Sequence, residues 1–383
     1  MLNLQPASLD WALQHALNYG DTDFFPRPFE YEALQHNWDS MRTWLHEANV
    51  LVWPTRPARV CVVPKGRFGF RVVTQLDPMD FLLYAATVYE LATAIEQRRV
   101  QSRTNVVFAS RVATALDGRL FDPRIGYSAF QERSSILAAQ ARHNFVAVAD
   151  ISDFYHRIYH HRLENALATA APNKPHVQAL MHLLGGWYDD VSYGIPVGPA
   201  PSRLLAELTL ADVDDALLAE QFHFVRYNDD FRIFTRTAQL GYQALARVAR
   251  LLYEMHGLSL QPSKTRVMTA DDFVSRNRPT DEDREMERLR DRFRALAQQL
   301  GMSSEYEEID LDTLDAEQRE LVDSMNLTEM LRGEIDGQDE PDFSVVRFAL
   351  RKLGQLGQSD VVDDVLDNIE LLHPAFDTVV QYL

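Results

Sequence analysis

Asp150, Asp229 and Asp230 are the residues of this chain best suited to chemistry. Asp150 closes the apolar run Phe145-Val146-Ala147-Val148-Ala149 and opens Asp150-Ile151-Ser152-Asp153-Phe154-Tyr155. Asp229 and Asp230 lie in Phe224-Val225-Arg226-Tyr227-Asn228-Asp229-Asp230-Phe231-Arg232-Ile233-Phe234. Both segments read as β, so two strand-like pieces present carboxylates at their tips. Carboxylate oxygens are hard ligands, and these could hold two divalent cations, Mg²⁺ with Mn²⁺ as a substitute. Two such cations are the minimum machinery for in-line phosphoryl transfer. A strand does not bury two adjacent unpaired carboxylates cheaply, so they stand in water or on metal. An isolated Tyr-Asn-Asp-Asp would read as a solvated hairpin tip, because Asn and Asp favour such turns whatever their function.

The elements that must position these residues fall into three regions. Residues 1–55 read as an N-terminal helical segment, with helical apolar spacing from Leu9 to Asn18 and from Tyr31 to Ala48. Residues 56–270 mix strands and helices. Val60-Cys61-Val62-Val63 and Phe70-Arg71-Val72-Val73 flank Lys65-Gly66-Arg67-Phe68-Gly69 and predict a hairpin, and Asp80 to Arg99 predicts a long helix. Residues 271–383 read as an all-α, acidic C-terminal module. Its pattern gives a charged helix from Asp281 to Leu300, an irregular acidic stretch from Gly301 to Gln338, and a helical pair at Phe343–Leu356 and Asp360–Leu372.

Composition limits the class. The single cysteine, Cys61, excludes an internal disulfide framework and a cysteine-rich zinc site. No uncharged apolar stretch is long enough to span a bilayer, and the first residues lack the blocks of a signal peptide, so a cytoplasmic protein is expected. The net charge of −18 is unevenly placed. Residues 271–383 carry 29 acidic and 12 basic side chains, leaving 27 acids against 26 bases in residues 1–270. The first 270 residues can therefore carry a cationic groove for RNA or DNA. The acidic helices are expected either to be a solvated face or to meet protein, a partner or another copy, through apolar faces such as the Phe343–Leu372 pair.

The order of the surrounding segments resembles a reverse transcriptase. Asp150 to Leu163 matches the first palm motif of that family. Gly194-Ile195-Pro196-Val197-Gly198-Pro199-Ala200-Pro201-Ser202 matches the second, Tyr227-Asn228-Asp229-Asp230 the third, and Gly257-Leu258-Ser259-Leu260-Gln261-Pro262-Ser263-Lys264-Thr265 the fourth. Within the family, Gly-Ile-Pro-x-Gly-Pro with Asp-Ile-Ser-Asp-Phe-Tyr is similar to bacterial abortive-infection and other defence-associated enzymes, and Asp21-Thr22-Asp23-Phe24-Phe25-Pro26 points the same way. Pro196-Val197-Gly198 replaces the Pro-Gln-Gly of retroviral and intron-encoded enzymes, which bears on template handling. The C-terminal helical pair resembles HEAT-type repeats.

The resemblance implies an α/β (α+β) palm-and-fingers fold with an antiparallel palm sheet. It implies a Mg²⁺-dependent polymerase that transfers deoxynucleotidyl units from dNTPs to a primer or protein hydroxyl in anti-phage defence. The alternatives are a templated RNA-directed DNA polymerase of a mobile element, and a polymerase-like scaffold that binds protein or RNA. Asp150 and Asp229 would hold the cations, Asp230 would complete the cluster, and the Ile151 carbonyl could ligate metal. Tyr155, five residues after Asp150, would sit under the sugar and exclude a 2′-hydroxyl; without the motif it reads as a core aromatic. Lys65 and Arg71, with Arg67 competing, would grip the triphosphate. Gly198 would shape the nucleotide loop. Lys264 would protonate the leaving pyrophosphate or stand as a solvated lysine. His156, His160 and His161 read as polar helix surface, and Asp189-Asp190 and Asp214-Asp215 as exposed pairs.

Overall fold

The computed structural model describes residues 1–64, 69–172, 174–188, 191–278, 280–300, 309–337 and 341–383. The chain divides into two compact units, one of residues 1–15, 30–58 and 76–278, the other of residues 16–29, 59–75 and 279–383.

The first unit is built on a four-stranded antiparallel sheet. Its strands are β3 (Phe145–Asp150), β4 (Phe224–Tyr227), β5 (Asp230–Thr235) and β6 (Arg266–Thr269), in the order β4-β5-β3-β6. This is the antiparallel sheet the sequence predicts. Alternation along the strands gives each face its own residues. Val146, Val225 and Phe234 bury against Phe130 and Leu137 of helix Tyr127–Ala138 and Phe273 of helix Ala270–Arg276. Helix Ala238–His256 packs along the sheet with Ala244, Val248, Leu251 and Leu252 buried. Thr237 caps its N-terminus through Leu240 N, and Gly257 ends it in the left-handed region at φ 66°. Gly241 lets this helix approach the sheet, because a Cβ there would stand 2.9 Å from Val267 Cγ1.

The second unit contains the predicted hairpin, β1 (Arg59–Pro64) paired with β2 (Phe70–Gln75), and the C-terminal helices. The strand β1 packs on the turn His373–Ala375 and helix Phe376–Tyr382. Val63 and Val73 are buried, while Val60, Val62 and Phe70 face outward. Deleting residues 279–383 should therefore cost roughly 1.5–3 kcal/mol for each valine uncovered. The shortened chain is expected to aggregate in light scattering. A monodisperse fragment with an intact circular-dichroism spectrum would show that the hairpin does not need these helices.

Four expectations are corrected here. The helix predicted across Tyr31–Ala48 is two, Glu30–His36 and Trp38–Glu47, broken at Asn37, whose backbone leaves the helical region at φ −120°, ψ 32°. Within the stretch read as irregular, Ala316–Asp323 and Leu327–Asp336 are helical. The first is set by a capping box in which Asp315 and Gln318 satisfy each other's backbone. In the Asp360–Leu372 segment only Val362–Asp367 is α-helix. The apolar faces of the Phe343–Leu372 pair are already used: Val346, Leu350, Leu353 and Val365 join Leu289, Phe293 and Leu331 in the core of this unit. Of that segment's apolar side chains Leu366 and Leu371 stay exposed. Among the described residues no helix is long and apolar enough to cross a membrane.

Candidate active site

The sheet brings the three carboxylates to one end of its two central strands. The β3–β5 register sets Asp150 directly across from Asp230. The β4–β5 hairpin turns through Asn228 and Asp229, with Asn228 at φ 49°, a conformation that Asn tolerates better than most residues. Ile151 N donates to the Asp229 carbonyl at 3.2 Å, which ties this turn to the end of β3. Ile151 itself is buried and bridges to Leu260.

Charge is concentrated at this end. Asp150 is buried, and burial together with the neighbouring charge of Asp150 pushes the Asp229 carboxyl up to about 6. Lys264 Nζ donates to Asp150 Oδ2 at 2.7 Å. Burial would lower the Lys264 pKa, but the bond to Asp150 and the charges of Asp150, Asp229 and Asp230 outweigh it and raise it. Lys264 thus keeps its side chain half exposed while pairing with Asp150, and it relieves part of the repulsion among the carboxylates.

Among the described residues no group of three or more His, Cys, Asp or Glu side chains encloses an ion by itself. Mg²⁺ does not ask for such a cage; it takes one or two carboxylates and fills its other positions with water and phosphate oxygens. The donors here fit that demand. They are hard oxygens, and the raised Asp229 carboxyl marks a place where a cation would relieve two carboxylates forced together.

The second and fourth motif segments close on the same centre. Gln261 N donates to the Asp150 carbonyl at 2.8 Å, Ser152 N to the Ser259 carbonyl at 2.9 Å, and Ser152 Oγ to Gln261 Oε1 at 3.0 Å. Tyr155 lies on the short helix Phe154–Arg157, and its carbonyl accepts from Ile195 N at 3.1 Å. Gly198 follows in that loop at φ 125°, which a side chain would resist. His160 corrects the surface reading: its Nε2–H donates to the Gly194 carbonyl at 2.7 Å, and burial lowers its pKa, so it is a neutral brace for the loop. Arg71 belongs to the second unit, where its guanidinium lies over the Phe24 ring. Lys65, Arg67 and the Asp189-Asp190 pair lie outside the described residues.

Sequence reasoning missed the charges behind the turn. Asp214 was expected to be exposed, yet it is buried, and only Asp215 of that pair reaches the surface, where Arg98 holds it. Asp214 pairs with Arg226, which also grips Glu207. The signal was present: Arg226 stands in an apolar strand and Glu207 in Leu204-Leu205-Ala206-Glu207-Leu208, and such charges are rarely buried unless paired.

The family described as "Reverse transcriptase (RNA-dependent DNA polymerase)" matches residues 97–307, more than half of the chain. Among solved structures, the chain is similar to telomerase from Candida albicans in complex with a TWJ fragment of telomeric RNA. Identity there is 13%, over 93% of this chain and 65% of that one, with a TM-score of 0.41. Apo telomerase from Candida tropicalis gives 9% identity over 92% and 67%, at 0.44. A partial Cas6-RT-Cas1–Cas2 complex gives 20% over 65% and 41%, at 0.33. The chain spans between about half and two thirds of the telomerase chains it matches. No curated protein sequence matches it.

Proposed function

The chain belongs to the reverse transcriptase family, and from that premise we propose that it is a Mg²⁺-dependent polymerase that adds deoxynucleotidyl units from dNTPs to a hydroxyl. One observation carries the reading: the second, third and fourth motif segments are hydrogen-bonded to the Asp150–Tyr155 segment, with Asp230 directly across from Asp150 and the Asp229 carbonyl bound by Ile151 N. Asp150, Asp229 and Asp230, with the Ile151 carbonyl, are the groups that would hold the cations. Bound there, the ions would supply charge stabilisation to the phosphoryl group in transfer. Tyr155 and the Gly198 loop would seat the incoming nucleotide. Lys264, hydrogen-bonded to Asp150, would give a proton to departing pyrophosphate.

The finer reading is defence against phage, in the cytoplasm, with nucleic acid held by residues 1–270. It rests on the Gly194–Pro199 and Asp150–Tyr155 motifs. In this reading residues 1–55 are an N-terminal helical segment, residues 56–270 the fingers and palm, and residues 271–383 an acidic helical C-terminal module. The acidic surface of 271–383 turns polyanions away and leaves protein contacts to its polar faces.

The test is incorporation of labelled dNTPs by the full-length protein with Mg²⁺ or Mn²⁺, with and without RNA or DNA template and primer. Product is expected with dNTPs and abolished by chelation. Sequencing it separates templated from untemplated synthesis, and protease sensitivity of its mobility separates a protein hydroxyl from a nucleic-acid primer. A folded protein that incorporates nothing under any of these conditions ends the polymerase reading.

A further inference from the structure

Arg226 has no solvent exposure and stands on β4, two residues before the Asn228-Asp229 turn. Its guanidinium uses every edge. Nε and Nη2 donate to Asp214 at 2.8 and 2.5 Å, and Nη1 and Nη2 donate to Glu207 at 2.9 and 3.1 Å. Nη1 also donates to the main-chain carbonyl of Asn228 at 2.7 Å. Behind it, Arg99 donates to Glu207 at 2.6 Å and to Glu96 at 3.0 Å, and Arg111 donates to Glu96 at 2.9 Å. Three guanidinium groups thus balance three carboxylates in the interior. Burial opposes the Arg226 charge, but Asp214 and Glu207 overcome this and hold it protonated.

A buried ionic cluster is seldom more stable than an apolar core of the same volume. What an apolar core cannot do is hold a carbonyl oxygen in a fixed place. The Asn228 carbonyl belongs to the turn that sets Asp229, whose own carbonyl accepts from Ile151 N beside Asp150. A turn without the first tie is held to the end of β3 at one point and can pivot there. The forked guanidinium, itself clamped from two helices, prevents it.

We propose that Arg226, held by Glu207 and Asp214, is a positioning residue: it fixes the Asn228 carbonyl and so sets where the Asp229 carboxylate stands relative to Asp150. The proposal rests on the reading of Asp150 and Asp229 as the cation-holding pair. Helices Ala200–Thr209 and Ala211–Ala219 supply the two clamping acids, so the turn is referenced to the helical layer as well as to its own strand.

The test uses the full chain. Arg226→Lys keeps the charge and loses the fork; Asp214→Asn keeps the shape and loses one clamp; Asp215→Asn, next in sequence and on the surface, is the control. Circular dichroism and melting confirm folding. Calorimetric titration with Mn²⁺ alone then reads the site without any reaction, and single-nucleotide incorporation gives kcat and the KM for dNTP. Losing a group that orients a metal ligand typically costs about 10–100-fold, so Arg226→Lys and Asp214→Asn should weaken Mn²⁺ binding and lower kcat by about tenfold or more, with KM moved less than about twofold. Asp215→Asn should follow wild type. Wild-type Mn²⁺ affinity and kcat in folded Arg226→Lys would overturn the proposal and leave the cluster as a support of the fold. If Arg226→Lys does not fold, the Asp214→Asn and Asp215→Asn pair decides by the same readouts. A wild type that binds Mn²⁺ but incorporates nothing counts against the polymerase reading, and the Mn²⁺ titrations alone then judge the clamp.

Discussion

Asp229→Asn is expected to lower dNTP incorporation by at least about a hundredfold and, in metal-free buffer near pH 7.5, to raise the melting temperature. The first effect follows from removing one charge from the pair that would hold cations, since metal-held transition-state charge is worth several kcal/mol. The second follows from the carboxyl's own discomfort. Its pKa in the fold is about 6, above the usual 3.8, because of burial first and the Asp150 charge next. A group raised on folding favours the fold below its unfolded value and loses that contribution as pH rises through its folded value. Above about pH 6 the ionised carboxylate therefore opposes folding by about 1–3 kcal/mol. Asparagine has no charge to bury, so the variant should melt a few degrees higher at pH 7.5. The difference should shrink as pH falls through 6 and vanish below about pH 3, where the carboxyl is protonated in the folded and the unfolded chain alike. Adding Mg²⁺ should raise the wild-type melting point more than that of the variant, since a ligand of the native state stabilises in proportion to its affinity. Full activity in the variant would remove Asp229 from the mechanism. A variant that melts lower than wild type at pH 7.5 would show that the carboxylate is not strained.

What the sequence made legible follows from local pattern. The run Phe145–Ala149 ending at Asp150 reads as a strand with a carboxylate at its end, and the apolar segments flanking Asn228-Asp229 as a hairpin, and both form. The 3.6-residue period similarly located helix Pro78–Arg98, expected from Asp80 to Arg99. The contacts that tune the site were not local. Lys264 and Asp150 are 114 residues apart, and no periodicity joins them. Arg226, Glu207 and Asp214 come from a strand and two helices, and only the packing of those helices on the sheet makes them neighbours. Helical phase did carry part of this: Ala211, Asp214 and Leu217 recur at threes along one buried stripe, and Asp215 falls off it. In the C-terminal segment the acidic composition concealed local signals. The Asp315-x-x-Gln318 capping box was readable but sat among charges that suggested no core.

Tyr155→Ala should relax the choice of sugar, lowering the ratio of kcat/KM for dNTP over rNTP by about ten- to two-hundredfold, the range that one steric contact in a pocket provides. The helix carrying Tyr155 is fixed by its backbone: its carbonyl accepts from Ile195 N, and Gly194 N donates to the Ile158 carbonyl at 2.8 Å. Neither bond uses the ring, so truncation to alanine leaves the turn after Asp150 in place. The ring itself is half-buried and meets Phe154 edge-on at 5.7 Å between centroids. In the proposed reaction the sugar of the incoming nucleotide would lie against this ring, and its loss would leave room for a 2′-hydroxyl. Tyr155→Phe separates bulk from hydrogen bonding. If the ring excludes the 2′-hydroxyl by size, phenylalanine keeps the wild-type ratio and only alanine changes it. If both variants relax the ratio equally, the hydroxyl is the discriminating group and the steric account is wrong. If folded Tyr155→Ala keeps the wild-type ratio, the sugar is read elsewhere, and Tyr155 is a packing residue of the short helix that follows Asp150.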